Sequence, residues 1–294
     1  MNISDELIKL RPELSAGSLK TYTSILRSIH NKVFGKDTEI NKSNFDKVDT
    51  ILDYLKDLEP NKRKTILSAL FVLTSKTQYR TNMINDIQIY NAEMKTHNKS
   101  DAEKENWCSQ EEIQNIFNKL KANTTRLYKN KVLSMGDLQD IQDFIIICLL
   151  GGLFIPPRRS LDYCEFKIKN VDVDKNNYLV KNEMIFNRYK TDKFYEQQRV
   201  EIPKQLKSIL TKWIKNNPTD YLLFDSNGNQ MTSVKMTQHL NKIFGGKKCS
   251  TNILRHTFLT SKFSGHLDNK KQLEDTAEKM GTSVNMIEDI YIKK

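Results

Sequence analysis

The chain has 294 residues, and its 47 lysines and arginines outnumber 36 acidic residues, which gives a formal net charge of +11. This charge favours a polyanionic partner, most simply nucleic acid, and the length accommodates two domains with separate cores. The sequence predicts no signal peptide or membrane span, and four scattered cysteines without a CxxC pair argue against disulfides and structural zinc, so we expect a soluble intracellular protein of the cytoplasm or nucleus.

Residues 1–98 are predicted to form a helical N-terminal domain. Apolar residues recur at helical spacing from residue 18 to residue 34, with Ser18 as the expected N-cap, and two further periodic segments are separated at Pro60. The next segment, residues 95–106, is charged throughout, so it is predicted to be a linker.

Residues 107–294 are predicted to form an α+β domain, so the expected fold class is mainly α with a small antiparallel β-sheet. The first helix is predicted to begin with a capping box formed by Ser109 and Glu112, and a largely buried helix follows it. Four short β-rich pieces come next, starting at "YCEFKIKNV", and residues 188–197 form a polar hairpin tip between the last two.

The chain ends in "MGTSVNMIEDIYIKK", which predicts a helix stop followed by a short amphipathic helix. Thr282 or Ser283 is the expected N-cap of this helix, and Tyr291 lies near its end. On spacing alone Tyr291 is most simply a hydrophobic contact of a terminal helix.

Several side chains of this second domain are suited to chemistry on a phosphate. A double proline precedes two arginines, and a further arginine lies in an otherwise apolar helix, where a cation must be paired or must meet an anion. Each has an ordinary structural interpretation when taken alone, as a salt bridge, a solvated charge or a packing contact. The residues are Arg158, Arg159, Asp162, Lys190, Lys193, Arg255 and Tyr291.

The order and spacing of these residues resemble the tyrosine recombinase (phage integrase) family. Its signature is an arginine with a carboxylate three residues later, a β-hairpin lysine, H-x-x-R in an "LRHTF" context, and a tyrosine nine residues after the histidine of a "GHS" motif. Here "RSLD", "YKTDK", "NILRHTF" and "MGTSVNMIEDIY" occupy those places. The sequence looks closest to integrases of large DNA viruses and eukaryotic mobile elements, and residues 1–98 look like the family's core-binding domain.

The resemblance implies transesterification at a DNA phosphodiester through a 3′-phosphotyrosyl intermediate, without a cofactor or a divalent metal. It makes Tyr291 the nucleophile, and it makes Arg159 and Arg255 the guanidinium donors to the non-bridging oxygens. Lys190 is the expected general acid, with Lys193 as its rival.

The remaining roles include two departures from the family pattern. Asn252 and Thr282 stand where the family has histidines; both can donate hydrogen bonds to a phosphoryl oxygen, but neither exchanges a proton near neutral pH. His256 points about 100° around the helix from its neighbour Arg255 and is a poor substitute. Asp162 is expected to orient Arg159. The candidate DNA contacts are Arg158, Lys193 and His256.

The function implied is that of a site-specific DNA recombinase or integrase that closes on duplex DNA. It is expected to act as a homotetramer on synapsed DNA and to be weakly associated or monomeric without DNA. Two alternatives stay open. One is a type IB topoisomerase-like enzyme that relaxes DNA with the same residues. The other is a DNA-binding protein that kept the fold but lost the reaction, which the substitutions at Asn252 and Thr282 favour.

Overall fold

The structure is a computed structural model that describes residues 1–288, without the side chain of Leu267. The chain divides into two compact units, Met1–Lys99 and a second unit that begins at Ser100. None of the helices in the described part of the chain combines the length and the apolar character that a bilayer crossing requires.

The N-terminal unit is helical, as its sequence periodicity predicts. Its core is formed by aliphatic and aromatic side chains such as Leu26, Phe45 and Leu70, all fully buried. The predicted N-cap at Ser18 is wrong, because Ser15 takes that position and its hydroxyl accepts the backbone N–H of Ser18 at 3.1 Å. The helices are α1 (Ile3–Leu10), α2 (Ala16–Val33), α3 (Lys42–Phe45), α4 (Val48–Leu55), α5 (Pro60–Thr74) and α6 (Thr77–Lys95).

The second unit combines helices with one small sheet. Its helices are α7 (Asp101–Asn106), α8 (Gln110–Leu127), α9 (Met135–Leu150), α10 (Ser160–Cys164), α11 (Lys204–Asn216), α12 (Ser233–Ile243), α13 (Thr251–Phe263), α14 (His266–Lys279) and α15 (Val284–Met286). Its strands are β1 (Phe166–Lys167), β2 (Asn177–Val180), β3 (Glu183–Phe186) and β4 (Gln198–Glu201).

The predicted linker at residues 95–106 contains helix α7. Ser100 and Glu103 form a capping box there, in which each side chain accepts the backbone N–H of the other residue. The charged composition alone did not reveal this helix, which begins at an S-x-x-E capping signature and contains Ala102 as its one apolar residue.

The fold class is confirmed as mainly α with one small sheet, but the sheet is mixed rather than purely antiparallel. The strands lie in the order β1-β2-β3-β4, where β1 pairs with β2 in parallel and the other two pairings are antiparallel. Strand β1 is shorter than the sequence predicts because Tyr163 and Cys164 belong to α10.

Helix α9 forms the centre of this unit and is buried from Ile141 to its end. Around it, the indole of Trp213 stacks on Phe224 with ring centroids 5.8 Å apart, and its Nε1 donates to the carbonyl of Leu222 at 2.8 Å. The polypeptide leaves this buried helix through Gly151 and Gly152 and then runs directly into the segment that carries Arg158 and Arg159.

Candidate functional site

A cavity of about 360 Å³ opens beside the start of α10. It brings together side chains from the segment before α10, from the β3–β4 loop, from β4 and from α13. Three of the predicted site residues that line it are arginines, so the cavity suits an anionic group. The lining residues are Pro156, Pro157, Arg158, Arg159, Asp162, Tyr189, Thr191, Gln198, Val200 and Arg255.

Gly152 sets the approach of α13 to the segment before α10. Its φ of +72° lies in the left-handed region, and a Cβ at this position would lie 2.5 Å from Cδ2 of Phe258 on α13. The absence of a side chain therefore allows the Phe258 ring to pack against the backbone. Arg255 lies on the same helix, so this contact helps to hold Arg255 beside Arg159.

Arg158 is held in place by polar and aromatic partners. Its Nε donates to Oδ2 of Asp162 at 2.8 Å and its Nη1 donates to Oε1 of Gln198 at 2.8 Å. The guanidinium lies 4.0 Å from the ring centroid of Phe186 and 5.5 Å from that of Tyr189. Such a group is oriented by the fold before any ligand arrives.

Asp162 is buried, with only 1% of its surface exposed. Burial raises the pKa of Asp162, whereas the positive charges of Arg158, Arg159 and Arg255 act against this rise. Its Oδ1 has no hydrogen-bond partner among the described residues, while Oδ2 accepts from Arg158. One oxygen of this carboxylate therefore accepts a hydrogen bond, and the other is available to a neighbouring donor.

The predicted pairing of Asp162 with Arg159 is corrected by this geometry, because Asp162 pairs with Arg158. Arg159 is the N-cap residue of α10 and has an extended backbone (φ −71°, ψ 151°), so the helical spacing behind the prediction does not apply to it. Arg158, an expected DNA contact, already donates through Nε and Nη1, and its contact with DNA stays a prediction. Within the described residues, no carboxylate lies within ion-pair distance of the Arg159 or Arg255 guanidinium, and both line the cavity.

Solved structures with a similar fold include XerA recombinase, with a TM-score of 0.36 and 14% identity over 89% of this chain and 83% of that one. A lambda integrase dimer bound to a COC′ core site aligns with a TM-score of 0.49 and 13% identity, over 90% of this chain and 72% of the integrase. XerH site-specific recombinase bound to difH substrate aligns with a TM-score of 0.40 and 14% identity, over 96% of this chain and 90% of the XerH chain. These structural neighbours are tyrosine recombinases.

No family model matches the chain, and no curated protein matches its sequence. The three solved structures are two recombinases and an integrase, which agrees with the predicted resemblance.

Lys190 and Lys193 lie on the loop between β3 and β4 and are both exposed. Neither lines the cavity, although Tyr189 and Thr191, which flank Lys190, do so. The hydroxyl of Tyr189 contacts the carbonyls of Tyr195 and Glu196 at 3.0 Å and 2.8 Å, which ties the far side of the loop back to the cavity wall. Lys190 therefore lies next to the cavity in sequence, and the choice between the two lysines stays open.

The other predicted residues lie outside the cavity lining. Asn252 and His256 are exposed on α13, one on either side of Arg255 in sequence. Thr282 is half-buried after α14, where Ser283 is the N-cap of α15. The predicted nucleophile, Tyr291, lies outside the described residues.

Three contributors to the site were not identified from the sequence: Phe186, Tyr189 and Gln198. Phe186 and Tyr189 provide the aromatic surface under Arg158, and Gln198 accepts one of its hydrogen bonds. Tyr189 directly precedes the predicted Lys190, so the position of Lys190 in the sequence indicated that this stretch of the loop would lie near the cavity. No sequence signal marked Phe186 or Gln198, because their role depends on how β3 and β4 pair across the sheet.

Proposed function

We propose that the chain is a DNA strand transferase of the tyrosine recombinase type, which breaks and rejoins DNA through a 3′-phosphotyrosyl intermediate. The observation that carries this proposal is the convergence of Arg159 and Arg255 on one cavity without a carboxylate partner among the described residues. Two guanidinium groups in this arrangement suit the two non-bridging oxygens of a phosphodiester, whose negative charge grows in the transition state.

The reaction begins when the hydroxyl oxygen of Tyr291 attacks the phosphorus. A bond forms between the tyrosine oxygen and the phosphorus of the 3′-phosphate, and the proton of the tyrosine hydroxyl is released to solvent. The bond to the 5′-oxygen breaks, and the leaving oxygen takes a proton from Lys190, or from Lys193 as its rival. Arg159 and Arg255 bind the non-bridging oxygens. Rejoining reverses these steps, with a 5′-hydroxyl as the attacking group.

Arg158 and Asp162 have a supporting role in this proposal. Arg158 is already bound to Asp162, Gln198 and the aromatic rings, so it contributes positive charge to the cavity wall from a fixed position. The Oδ1 of Asp162 has no hydrogen-bond partner among the described residues, so it would accept a hydrogen bond from a neighbouring arginine once DNA is bound. Asn252 and Thr282 would donate hydrogen bonds to the phosphate in place of histidines.

Double-stranded DNA is the proposed partner, and basic side chains of the N-terminal unit support it. A groove of about 770 Å³ follows one side of α2, and four of its lining residues are cationic: Lys20, Arg27, Lys32 and Lys36. Within the described residues none of the four forms an ion pair, so they are available for phosphates. Affinity for duplex DNA should therefore fall steeply as salt rises. Assembly as a homotetramer on synapsed DNA is part of the proposal.

The test uses nicked duplexes carrying candidate recognition sequences, incubated with the full-length protein and resolved on denaturing gels. A covalent protein–DNA adduct is expected, and Tyr291→Phe and Arg255→Ala should each abolish it. Lys215→Ala is a matched control, because this exposed lysine near the end of α11 lies away from the cavity lining. Tight binding without an adduct would refute the proposed activity.

Two other functions share the same geometry. A type IB topoisomerase-like enzyme would form the adduct but would fail to exchange strands between two duplexes, so a two-duplex assay separates it from a recombinase. A DNA-binding protein without the reaction is favoured by Asn252 and Thr282, which cannot replace imidazole as proton carriers. That protein would bind the duplexes without any adduct.

A further inference from the structure

Two cysteines that are far apart in sequence lie against each other in the second unit. The sulfur atoms of Cys108 and Cys249 are 3.3 Å apart, although 141 positions separate the two residues, and both are fully buried. Cys148 and Cys164 are also free and buried, but within the described residues neither has another sulfur in hydrogen-bonding range. Among the described residues, Cys108 and Cys249 are therefore the two cysteines whose sulfur atoms contact each other.

The contact lies in a seam between the segment that leads into α8 and the loop that leads into α13. The side chain of Asn106 accepts the backbone N–H of Lys248 at 2.8 Å, and Thr257 donates its hydroxyl to the carbonyl of Cys108 at 2.7 Å. These two hydrogen bonds join the segment that carries Cys108 to the loop and helix on either side of Cys249 in sequence. They hold the thiols in register, so the sulfur contact does not depend on side-chain rotation alone.

The contact between the two thiols favours ionisation of Cys108. The hydrogen bond with the Cys249 thiol lowers the pKa of Cys108, with burial and the Glu112 carboxylate acting against this and the Lys247 ammonium acting with it. The pKa of Cys249 is raised by its hydrogen bond with Cys108 and by burial. A thiolate is the reactive form of cysteine, so Cys108 is the attacking sulfur and Cys249 the resolving one.

We infer that Cys108 and Cys249 are a modification site that closes reversibly to an intramolecular disulfide when a peroxide is present. The Cys108 thiolate attacks one oxygen of hydrogen peroxide, the O–O bond breaks, and hydroxide leaves, so that Cys108 becomes a sulfenic acid. The Cys249 sulfur then attacks the Cys108 sulfur, the S–S bond forms and the S–O bond breaks. Each sulfur gives up one electron, the peroxide takes two, and the thiol protons leave in two water molecules.

Closing the bond requires a modest movement of the sulfurs, from 3.3 Å to about 2.05 Å. The loop before Cys249 can supply this movement, because Gly245 and Gly246 both have positive φ angles and no atom lies within 4 Å of the position that a Cβ would take on either. Opening of the same loop would admit the peroxide to the buried sulfurs. Cys249 directly precedes Ser250, the N-cap of α13, so the disulfide would tie the start of the helix that carries Arg255 to the entry of α8.

The inference is tested on the full-length protein, treated with hydrogen peroxide at neutral pH and quenched by alkylation in denaturant. The expected product has lost two hydrogen atoms, retains two alkylatable thiols, and yields a crosslinked peptide that joins Cys108 to Cys249. A dithiol reductant should restore all four thiols. The double variant Cys148→Ala/Cys164→Ala should react like the natural protein, and Cys108→Ser and Cys249→Ser should each form no intramolecular disulfide.

Three outcomes would overturn the inference: four free thiols after peroxide treatment, a crosslink between any other pair, or a Cys108–Cys249 crosslink that forms only in denaturant. Peptide mapping of the natural protein decides among them even if a serine variant fails to fold. The result does not depend on DNA strand transfer, because no DNA is present in the assay.

Discussion

Replacing Gly152 by alanine should destabilise the second unit, because the position combines an unusual backbone conformation with a close neighbour. Its φ of +72° costs a residue with a Cβ about 1–2 kcal/mol. The added methyl group would lie 2.5 Å from Cδ2 of Phe258 and 3.2 Å from Cγ, so the ring or the backbone must shift at an overpacking cost of about 1–3 kcal/mol. The free energy of unfolding should therefore fall by about 2–5 kcal/mol.

Gly245→Ala is a matched control for the backbone contribution. Gly245 has a similar φ of +67°, but no atom lies within 4 Å of the position its Cβ would take. In this variant the free energy of unfolding should fall only by the backbone cost of a positive φ, about 1–2 kcal/mol. The difference in free energy of unfolding between the two variants therefore measures the cost of the overlap with Phe258.

Urea denaturation followed by tryptophan fluorescence is a suitable assay, because both tryptophans, Trp107 and Trp213, belong to the second unit. The double variant Gly152→Ala/Phe258→Ala should show a favourable coupling energy, since the alanine at 258 removes the atoms that overlap. If Gly152→Ala destabilises the protein no more than Gly245→Ala, the role given to the Gly152–Phe258 contact is refuted.

Two further predictions concern charged residues of the same unit. Arg158→Ala should lower the free energy of unfolding by about 3 kcal/mol because it leaves the buried Asp162 without its bonded partner, whereas Arg159→Ala should change it by less than about 0.5 kcal/mol and still abolish the DNA adduct. Equal losses of stability in urea denaturation would contradict this division of roles. The Lys235 ammonium holds the pKa of Asp225 at about 2, below its ordinary value of 3.8, so the ionised pair stabilises the protein above about pH 4 and this contribution is lost as the pH falls toward 2. Unfolding measured across that window should depend less on pH in Asp225→Asn, and unchanged pH dependence would count against the pair.

Local signals in the sequence predicted the helices well, because periodicity and caps act over a few residues. Ser109 is the N-cap of α8 as expected, and its hydroxyl accepts the N–H of Glu112 at 3.0 Å. The second half of the predicted capping box is absent, because the Glu112 carboxylate accepts two hydrogen bonds from Lys247 instead. A residue distant in sequence competes for the same carboxylate, and such a competitor is invisible to a local pattern.

Four of the predicted site residues, Arg158, Arg159, Asp162 and Arg255, line one cavity, whereas the contacts between them were harder to predict. Arg159 and Arg255 converge as the motif order indicates, but the partner of Asp162 could not be read from spacing. Asp162 pairs with Arg158 because the Phe186 ring and the Gln198 amide, both from the sheet, hold the Arg158 guanidinium in place. Neither contact has a signature in the linear sequence.

The cysteines show the same limit. The sequence contains no CxxC pair, yet the fold brings the sulfur atoms of Cys108 and Cys249 to 3.3 Å. The proximity of the two cysteines depends on the packing of two connecting segments. These segments have no hydrophobic periodicity, so the sequence did not indicate that they lie close together.

The most direct test of the proposed reaction is to identify the amino acid and the DNA end that are joined in the covalent adduct. The full-length protein would be incubated with a nicked duplex in the presence of a metal chelator, digested with protease and nuclease, and analysed by mass spectrometry. The proposal predicts a peptide in which Tyr291 carries a 3′-linked nucleotide, and no such peptide from Arg159→Ala or Arg255→Ala. Attachment through another residue, attachment to a 5′-phosphate, or DNA that is bound but never joined to protein would contradict it.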